Sequence, residues 1–583
     1  MSQRNEALAQ LFHTMADIYR LMGNNKFRAI AYQNASNVID GLPEDISHYV
    51  KTDTLDDIPG IGKTLEENIK EYLKTGRIAR YEKLKKEVPL GLVELMNING
   101  FGPESLKTIH QKLNLQTKEE VINALQDGRI EKLKGFGPKK VENLLRALKL
   151  HKTVEERMLL WYALQAGEEV VTRLKSIPQI KKIELAGSLR RKKETIGDID
   201  ILIAANNTDR KAIIDFFSSS RLASKVLAKG ETKASIILKT IKRQMDLRIV
   251  KESEWGSALQ YFTGSKDHNI HLRTIAKSKG YKISEYGIFN LKDERRVAGK
   301  TENEIYETLG MQWIPPEMRE DRGEIELAAK NQIPELIDIK DIRGDLQMHS
   351  DWSDGLQNLE RIVKFVREKF QYEYIAITDH SKSSRIAGGM DEKEFLKQIN
   401  AVKEVNENLG INFLKSGAEV DILPDGKLDL SDEVLEQLDW VTASIHSGFK
   451  KDNTDRIVRA CENPFVHCIG HPTGRLIGKR EPYRFTYEEI LNAAKHTGTA
   501  LEINAQPDRM DLNDEMAYQA REAGVKLVIS TDSHKPTDYY FMCLGLYVAK
   551  RAWCKPVNIL NTLSWSELQQ FTLKKRRQTK VLA

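Results

Sequence analysis

The sequence predicts a multidomain protein of mixed α+β and α/β class, in which a helical N-terminal region, a central domain with a β-sheet and a C-terminal barrel follow one another. Three observations predict this order. The chain has 583 residues, too many for one hydrophobic core. Its N-terminal third repeats a short glycine-containing turn between helical segments. Its C-terminal part alternates short apolar runs with stretches of helical length.

Composition and charge narrow the class of protein without identifying a ligand. Hydrophobic residues make up 40% of the chain and charged residues 30%, which is typical of ordinary globular domains. The net charge of +6 is too small to indicate nucleic-acid binding without local clustering. No apolar segment approaches the ~18 residues of a membrane span, and the cysteines form no Cys-x-x-Cys pair. We therefore expect a cytoplasmic, nucleoid-associated protein with no membrane partner.

The N-terminal third contains three copies of one glycine pattern, at 58–62, 98–102 and 133–137. Each copy is similar to the turn of a helix-hairpin-helix. Glycines let the backbone approach a ligand closely, and the free N–H groups of the following helix favour phosphate. A single copy is typical of an ordinary turn, but three copies indicate sequence-independent DNA binding through the phosphate backbone. The expected DNA contacts are Gly60, Gly62, Gly100, Gly102, Gly135 and Gly137.

Three carboxylates are predicted to meet on one β-sheet of the central domain. The segment 197–203 is typical of a buried strand, and residues two apart on a strand share a face, so Asp198 and Asp200 point the same way. A predicted hairpin, 234–239 and 245–250, adds Asp246 at the start of its second strand. Three acids suit a two-metal site. Asp-x-Asp alone is equally typical of a solvated strand end, so the surrounding residues decide between the two interpretations.

Two further motifs indicate a nucleotide site. Gly187 and Ser188 form a turn that can hold phosphate oxygens, with Arg190 and Arg191 available as forked donors. The segment 261–269, Tyr-Phe-Thr-Gly-Ser-Lys-Asp-His-Asn, can wall a sugar pocket and bring an amide to a base edge. Taken alone, this second segment also fits an aromatic core.

Together these motifs resemble the family X DNA polymerases, whose repair members fill short gaps. The resemblance covers about 1–317 and implies a lyase-like domain (1–85), fingers (86–150), a palm (151–250) and a thumb (251–317). It implies Mg²⁺ or Mn²⁺ on the carboxylates, the triphosphate at the turn and the sugar beside the aromatic pair. The residues expected in these roles are Asp198, Asp200 and Asp246 for metal and catalysis, Gly187, Ser188, Arg191, Tyr261, Phe262, Gly264 and Asn269 for the nucleotide, and Arg273 for DNA.

The lyase-like domain departs from the family pattern at one position. Members with deoxyribose-phosphate lyase activity carry a Schiff-base lysine in the helix after the first hairpin, and by spacing that position here is Asn68. An amide nitrogen is not a nucleophile, so we do not expect the lyase activity in its usual form. Lys63 and Lys70 are alternative nucleophiles nearby.

After a linker (318–340), the region 341–583 predicts a parallel sheet with crossover helices, closed as a barrel. Its apolar runs are 375–378, 413–416, 440–445, 465–469, 500–503 and 526–530. Polar residues follow the runs, at the strand ends where barrel loops converge on a catalytic site. A lone histidine is usually structural, but the shared register favours a metal cluster. The residues that follow the runs are His380, Glu419, His446, His471, Asp532 and His534, and the segment 347–355 adds His349 and Asp354.

These eight residues resemble the ligand pattern of the PHP (polymerase and histidinol phosphatase) domain. The resemblance implies a distorted (βα) barrel and a cluster of ions that hydrolyses phosphoesters, with Mn²⁺ or Zn²⁺ as the expected metal. The family often opens with His-x-His, whereas this sequence has Gln347 at the first position. Glutamine binds transition metals more weakly than imidazole, so one ion is expected to be held less tightly.

The leading hypothesis is a monomeric DNA polymerase that fills gaps during base excision repair and carries a PHP-domain 3′-5′ exonuclease, with abasic-site endonuclease activity as a further expectation. Its partners are gapped or primed DNA and dNTPs. Two alternatives stay open. The PHP domain could be a phosphomonoesterase for a small metabolite, or the polymerase half could serve only as a DNA-binding module.

Overall fold

A computed structural model describes residues 3–582, except residues 24, 25, 41, 43, 56, 57, 59, 97, 99, 156 and 220. The side chains of residues 3, 6, 149–155 and 580–582 are also outside the description. The excluded residues include Pro59 and Asn99 of two predicted glycine turns. No helix in the described part is long and apolar enough to cross a membrane.

The N-terminal region is helical, as the sequence predicts. Its helices are α1 (Gln3–Met22), α2 (Lys26–Asp40), α3 (Ile46–Lys51), α4 (Lys63–Thr75), α5 (Ala79–Glu87), α6 (Leu90–Leu95), α7 (Pro103–Leu113), α8 (Lys118–Gln126) and α9 (Pro138–Glu155). Leu8, Phe12 and Met15 of α1 are fully buried, because their three- and four-residue spacing places them on one helical face. One continuous apolar core runs from Leu8 to Leu144 and therefore joins the two regions predicted as the lyase-like domain (1–85) and the fingers (86–150).

The palm is built on a five-stranded sheet with strand order β2-β4-β7-β6-β5. Its elements are β1 (Met158–Leu159), α10 (Leu160–Lys175), β2 (Lys182–Leu185), α11 (Gly187–Arg190), β3 (Thr195–Ile196), β4 (Ile199–Ala204), α12 (Arg210–Phe217), β5 (Ala223–Lys229), β6 (Lys233–Leu238) and β7 (Gln244–Val250). Strands β4 and β7 are parallel, and Asp200 lies directly opposite Asp246. The antiparallel pairing of β6 and β7 confirms the predicted hairpin.

The thumb and the segment after it share one core. Their elements are α13 (Trp255–Thr263), α14 (Lys266–Ser278), β8 (Tyr281–Ser284), β9 (Gly287–Asn290), β10 (Arg296–Ala298), α15 (Glu302–Thr308) and α16 (Glu324–Ala329). Met318 and Ile325 belong to the segment predicted as a linker (318–340), yet they are buried in the thumb core together with Leu272 and Ile305. The first half of the predicted linker is therefore part of the folded thumb.

A buried ion triad joins the palm to the thumb. Both terminal nitrogens of Arg190 donate to the Glu302 carboxylate at 2.8 Å, and Arg319 donates to the same carboxylate at 2.8 Å. The Arg319 side chain is fully buried and lies over the rings of Tyr306 and Trp313. Burial would raise the pKa of Glu302, but the two arginines outweigh this and lower it from 4.5 to about 2.

The C-terminal domain is a nearly closed barrel of seven parallel strands, in the order β11 to β17. Its elements are β11 (Gly344–Met348), α17 (Leu359–Lys369), β12 (Tyr374–Ile377), α18 (Glu392–Leu409), β13 (Leu414–Asp421), α19 (Asp432–Leu435), β14 (Trp440–Ser444), α20 (Thr454–Glu462), β15 (Cys468–Ile469), α21 (Tyr487–Thr497), β16 (Ala500–Asn504), α22 (Asp514–Ala523), β17 (Leu527–Ser530), α23 (Met542–Arg551) and α24 (Trp565–Leu582).

Closure of this barrel brings its first and last strands together. A parallel bridge joins Met348 to Ser533, and the N–H of Asp532 donates to the Gln347 carbonyl at 3.0 Å. Six of the strands coincide with the six predicted apolar runs. The predicted barrel is confirmed, and its carboxyl-terminal strand ends meet at one end.

Replacement of Glu302 by glutamine is expected to lower the free energy of unfolding by about 3 to 5 kcal/mol at pH 7, because two buried arginines at the palm–thumb junction lose their counter-charge. The wild-type carboxylate has a depressed pKa. The stabilisation that the ionised carboxylate gives to the folded state is therefore complete above pH 4.5 and decreases as the pH falls towards 2. Urea unfolding of both proteins between pH 3 and 7 measures the difference. A difference that stays constant across this range would contradict the assignment.

Candidate functional site

The three predicted palm carboxylates meet at one edge of the sheet. Asp198 is exposed immediately before β4, while Asp200 and Asp246 face each other across the parallel pair of β4 and β7. One oxygen from each of the three residues lies within 4.8 Å of the others. Gln244 donates to Asp246 at 3.1 Å, and the Lys233 ammonium is 3.8 Å from the same carboxylate.

The close spacing of the three acids changes the pKa of Asp200. Burial first, then the charges of Asp198 and Asp246, raise the pKa of Asp200 to about 7. Lys233 and Arg191 act in the opposite direction but do not balance the cluster. An all-oxygen set with excess negative charge is the donor chemistry that hard divalent cations require, so these residues fit Mg²⁺ or Mn²⁺.

The turn at Gly187 is seated directly against this cluster. Gly187 has φ of +61°, and a Cβ atom built on it would overlap the Asp200 carboxylate. The N–H of Ala186 also donates to the Asp200 carbonyl at 2.8 Å. Only glycine therefore allows α11, which carries Ser188, to begin this close to the acids.

The two arginines of this motif have separate positions. Arg190 is occupied by the palm–thumb triad and also donates to the Thr263 hydroxyl at 2.7 Å. Arg191 donates to the Thr263 carbonyl and, through Nε, to Glu320 at 3.1 Å. Gly264 is close to the same guanidinium, since a Cβ atom built on it would lie 3.1 Å from Arg191 Nη1. The charge of Arg191 also acts against the increase in the pKa of Asp200, so Arg191 is close enough to influence the carboxylates.

The aromatic pair and Asn269 form one hydrogen-bonded unit. The rings of Tyr261 and Phe262 meet edge to face with centroids 5.2 Å apart. Asn269 donates its amide to the Tyr261 carbonyl at 2.8 Å and accepts from Gln260 at 2.7 Å. The observed contacts of Asn269 thus hold the aromatic segment. Arg273 is exposed on α14, one turn beyond Asn269 on the same helical face.

The three glycine turns lead into helices α4, α7 and α9, as predicted. Gly60, Gly100 and Gly135 have φ between +86° and +94°, a region that favours glycine. Gly62 and Gly102 cap α4 and α7 without a side-chain hydrogen bond, so the first N–H groups of these helices suit an anion. In α4 they begin at Lys63, whereas in α7 they begin at Glu104, because Pro103 has no N–H. A Cβ atom on Gly137 would meet no described atom within 4 Å. This open surface suits a DNA backbone.

Asn68, at the position of the family's lyase nucleophile, has a structural contact. Its side chain is buried, and its amide donates to the Tyr32 hydroxyl at 2.7 Å. Tyr32 in turn stacks on Tyr19. The alternative Lys70 pairs with Glu66 at 2.6 Å.

The eight predicted PHP residues converge at the carboxyl-terminal end of the barrel. Glu419 is the central acid, because four imidazoles surround its carboxylate. The nearest distances are 3.0 Å to His471, 3.2 Å to His380, 3.4 Å to His446 and 3.6 Å to His349.

Seven of the eight residues fall into three overlapping groups, in each of which one ligand atom per residue lies within 4.8 Å of the others. His471 reaches the cluster through Glu419. The three groups are His349, Asp354, His380 and His534; His380, Glu419 and His446; and His349, Glu419 and Asp532.

Acids and imidazoles in the cluster change each other's protonation strongly. Burial would raise the pKa of Asp354, but hydrogen bonding to His534 and nearby imidazole charges lower it to about 2. Burial would lower the pKa of His534 and His446, yet their carboxylate neighbours raise both to about 10. Burial dominates at His380 and lowers its pKa to about 4. Cations placed among these ligands would take over the role that protons play on the histidines.

Buried polar atoms that have no hydrogen-bond partner among the described residues also indicate that this cluster fits metal ions. The Nδ1 atoms of His349 and His471 have no hydrogen-bond partner among the described residues. Both side-chain amide atoms of Gln347 are also buried without such a partner. Free imidazole nitrogens mixed with carboxylates are ligands for Mn²⁺ and Zn²⁺, so the donor set fits a transition-metal cluster.

Sequence reasoning missed two acids next to this cluster. Asp421 lies 3.2 Å from His446 Nδ1, and the fully buried Glu502 accepts from the His471 backbone N–H. Asp421 follows Glu419 by two residues on β13, so strand periodicity was a signal that could have found it. Glu502 sits within an apolar run on β16, and only the closed barrel reveals its position. Both side chains orient histidines of the cluster.

Comparison with protein-family models matches five segments of the chain, which lie in the helical N-terminal region, the palm, the thumb and the barrel. Residues 3–78 match the helix-hairpin-helix domain and 92–150 match the SAM-like helix-hairpin-helix tandem. The DNA polymerase beta palm matches 163–261, the DNA polymerase beta thumb 258–320 and the PHP domain 345–506.

The curated relatives match nearly the whole chain, about half of it or about a third of it. The DNA polymerase/3′-5′ exonuclease PolX of Bacillus subtilis (strain 168) is 36% identical over 570 residues, covering 97% of this chain and 98% of that protein. DNA polymerase lambda of Arabidopsis thaliana is 24% identical over 349 residues, covering 54% of this chain and 62% of that protein. A probable phosphatase of Caldicellulosiruptor bescii is 30% identical over 192 residues, covering 31% of this chain and 75% of that protein.

Replacement of Gly187 by alanine is expected to reduce primer extension about 100-fold, because the new methyl group displaces the Asp200 carboxylate. Steady-state extension of a labelled primer measures the effect. Gly280→Ala is the matched control, since Gly280 has a similar φ of +81° and open space around its Cβ position among the described residues. Equal losses in the two variants would mean that backbone strain, and not the carboxylate, is responsible.

Proposed function

Because the chain belongs to the family X DNA polymerases that carry a PHP domain, we propose that it fills short gaps during base excision repair and trims unpaired 3′ ends in the same molecule. The observation that carries this proposal is the presence of two complete but chemically different metal-ligand sets in one chain. One set contains only carboxylates, and the other mixes carboxylates with imidazoles.

In the polymerase half, Asp198, Asp200 and Asp246 are the proposed catalytic metal ligands. Mg²⁺ or Mn²⁺ held by them would supply the positive charge that in-line displacement at a phosphate requires. Ser188 and Arg191 bind the triphosphate of a dNTP, since both lie at the turn that is seated on Asp200.

The remaining palm and thumb residues give the incoming nucleotide its place. Tyr261 and Phe262 form one wall beside its sugar, and Gly264 leaves space at the end of that wall. Asn269 holds the wall through the Tyr261 carbonyl and keeps one amide hydrogen for the base edge. Arg273, one turn further on α14, contacts the DNA.

In the PHP half, the eight strand-end residues hold the metals of the 3′-5′ exonuclease. Mn²⁺ or Zn²⁺ there would supply the Lewis acidity for phosphodiester hydrolysis. Asp354, His446 and His534 are the most exposed of the set, with side-chain exposures of 34%, 25% and 31%. The DNA end therefore approaches from their side. The same chemistry extends to incision at abasic sites.

DNA binding rests on the three helix-hairpin-helix turns. Backbone N–H groups contact phosphates without reading bases, as a repair enzyme acting at random positions requires. Gapped or primed DNA is the proposed substrate, bound by a monomer. The buried contact of Asn68 with Tyr32 supports a gap-filling role without the usual lyase step.

A second candidate function is favoured by one relative. The chain resembles a probable phosphatase over 192 residues, which supports a PHP domain that acts as a phosphomonoesterase on small molecules. Hydrolysis of free nucleoside monophosphates, with no shortening of DNA, is the result that this alternative requires.

The two-site proposal predicts that the activities separate by mutation. With Mn²⁺ and a labelled primer on DNA with a one-nucleotide gap, Asp198→Asn/Asp200→Asn is expected to lose extension by about 10³-fold and to keep 3′ shortening. His349→Ala/His380→Ala is expected to show the reverse and to lose incision of abasic DNA. The measurement is gel analysis with and without dNTPs.

The substrate controls are a simple primed template and free nucleoside monophosphates. Preference for the gapped DNA supports gap filling. If the unmodified protein neither extends nor shortens the primer but releases phosphate from the monophosphates, the phosphatase hypothesis replaces the proposal. If one double variant abolishes both DNA activities, the separation of the sites is wrong.

A further inference from the structure

A chain of charged groups runs from the outside of the PHP barrel to the nucleotide arginine of the palm. Arg551, at the end of α23, donates to Glu320 at 3.0 Å, and the same Glu320 oxygen accepts from Arg191 at 3.1 Å. Arg551 also donates to the backbone carbonyl of Arg191 at 2.7 Å. The PHP domain therefore contacts both the main chain of Arg191 and the acid that pairs with its side chain.

Arg551 itself is rigidly held. Its side chain is 3% exposed, and Asp514 of α22 accepts from its Nε at 3.1 Å and from its Nη2 at 2.7 Å. Asp514 belongs to the barrel, whereas Glu320 is the last residue that matches the thumb. The guanidinium fork of Arg551 therefore spans the boundary between the two halves, a geometry that lysine cannot reproduce.

The position of Glu320 between two arginines has a consequence for Arg191. A buried carboxylate with a single arginine partner forms a strong pair, which competes with any other anion for that arginine. Because Glu320 also pairs with Arg551, its ion pair with Arg191 is weaker than it would be with Arg191 as the single arginine partner. Burial would raise the pKa of Glu320, but Arg551, Arg191 and Lys193 more than offset this and keep the group ionised.

We propose that Arg551 of the PHP domain is a positioning residue of the polymerase site: it shares Glu320 with Arg191 and thereby leaves the Arg191 guanidinium available to the triphosphate of a dNTP. This rests on the proposed nucleotide role of Arg191. The nuclease half thus contributes to nucleotide affinity although it supplies no group that touches the nucleotide.

Two other contacts between the halves lie away from the Arg191 side chain. Arg475 of the barrel pairs with Glu194 of the palm at 2.6 Å, and Trp161 packs edge to face on Phe541. Glu194→Gln therefore provides a matched control. It removes an ion pair from the same interface without altering the partners of the Arg191 side chain.

The test is a double-mutant cycle on the full-length protein. Arg551→Met is expected to raise KM for a dNTP about five- to tenfold with little change in kcat, because Glu320 then loses one of its two arginine partners and pairs more strongly with Arg191. In a Glu320→Gln background, the same substitution is expected to change KM less than about twofold, since the competing charge is already gone. Arg551→Lys is expected to be intermediate. Exonuclease activity on the same primer reports that each variant is folded.

Two outcomes overturn the inference. One is a KM for Arg551→Met no higher than that for Glu194→Gln. The other is an equal rise of KM in both Glu320 backgrounds. If Arg551→Met loses both activities, Arg551→Lys replaces it in the cycle. An unchanged KM for Arg551→Lys would also contradict the inference. A different result is that the unmodified protein does not extend a primer. That result contradicts the proposed function itself and is distinguishable from a failure of the double-mutant cycle.

Discussion

Repulsion between closely spaced acids is the constraint on which the rest of this structure depends. In the palm, one oxygen from each of Asp198, Asp200 and Asp246 lies within 4.8 Å of the others, and the charges of Asp198 and Asp246 add to burial in raising the pKa of Asp200. Flexible loops would relax by moving the acids apart. The parallel pair of β4 and β7 prevents this, because Asp200 and Asp246 are fixed by the register of a hydrogen-bonded ladder. Rigid strands therefore hold the unfavourable charge in place until cations offset it.

The two sites solve this common problem with different chemistry. The palm leaves its acids with little compensation beyond Lys233 and Arg191, so the electrostatic demand for hard cations is high. The barrel surrounds Glu419 with imidazoles, which carry protons or metals as conditions dictate. Closure of the barrel contributes to this arrangement, since it places His349 within 3.1 Å of Asp532 although the two residues are 183 positions apart.

Periodicity was sufficient to predict most of the strands and many of the side chains that meet at the two candidate sites. The alternation of residues along a strand placed Asp198 and Asp200 together, the ends of apolar runs indicated six of the eight barrel residues, and the segment 347–355 supplied the other two. Partners of long, charged side chains were not predictable in this way. Nothing in the sequence couples Glu320 to Arg551, because their pairing depends on how two separately folded units meet.

The same limit applies to single polar residues whose partners are distant in sequence. A base-edge role was the only expectation for Asn269, whereas the structure also shows it holding the backbone of Tyr261. Asn68 could be recognised as a departure from the family pattern, but its contact with Tyr32 required the packing of α2 against α4. Spacing defines which residues share a face, and tertiary packing decides what each of them touches.

Joining synthesis and trimming in one chain raises the question of how the two activities remain separate. Different donor sets give part of the answer. Oxygen ligands favour hard ions, while imidazoles bind transition metals more tightly, so the two sites do not compete equally for one metal. The interface gives the other part. Arg551 faces the palm through an ion network and not through the barrel's metal cluster, so the contact between the halves can tune nucleotide binding without altering a nuclease ligand.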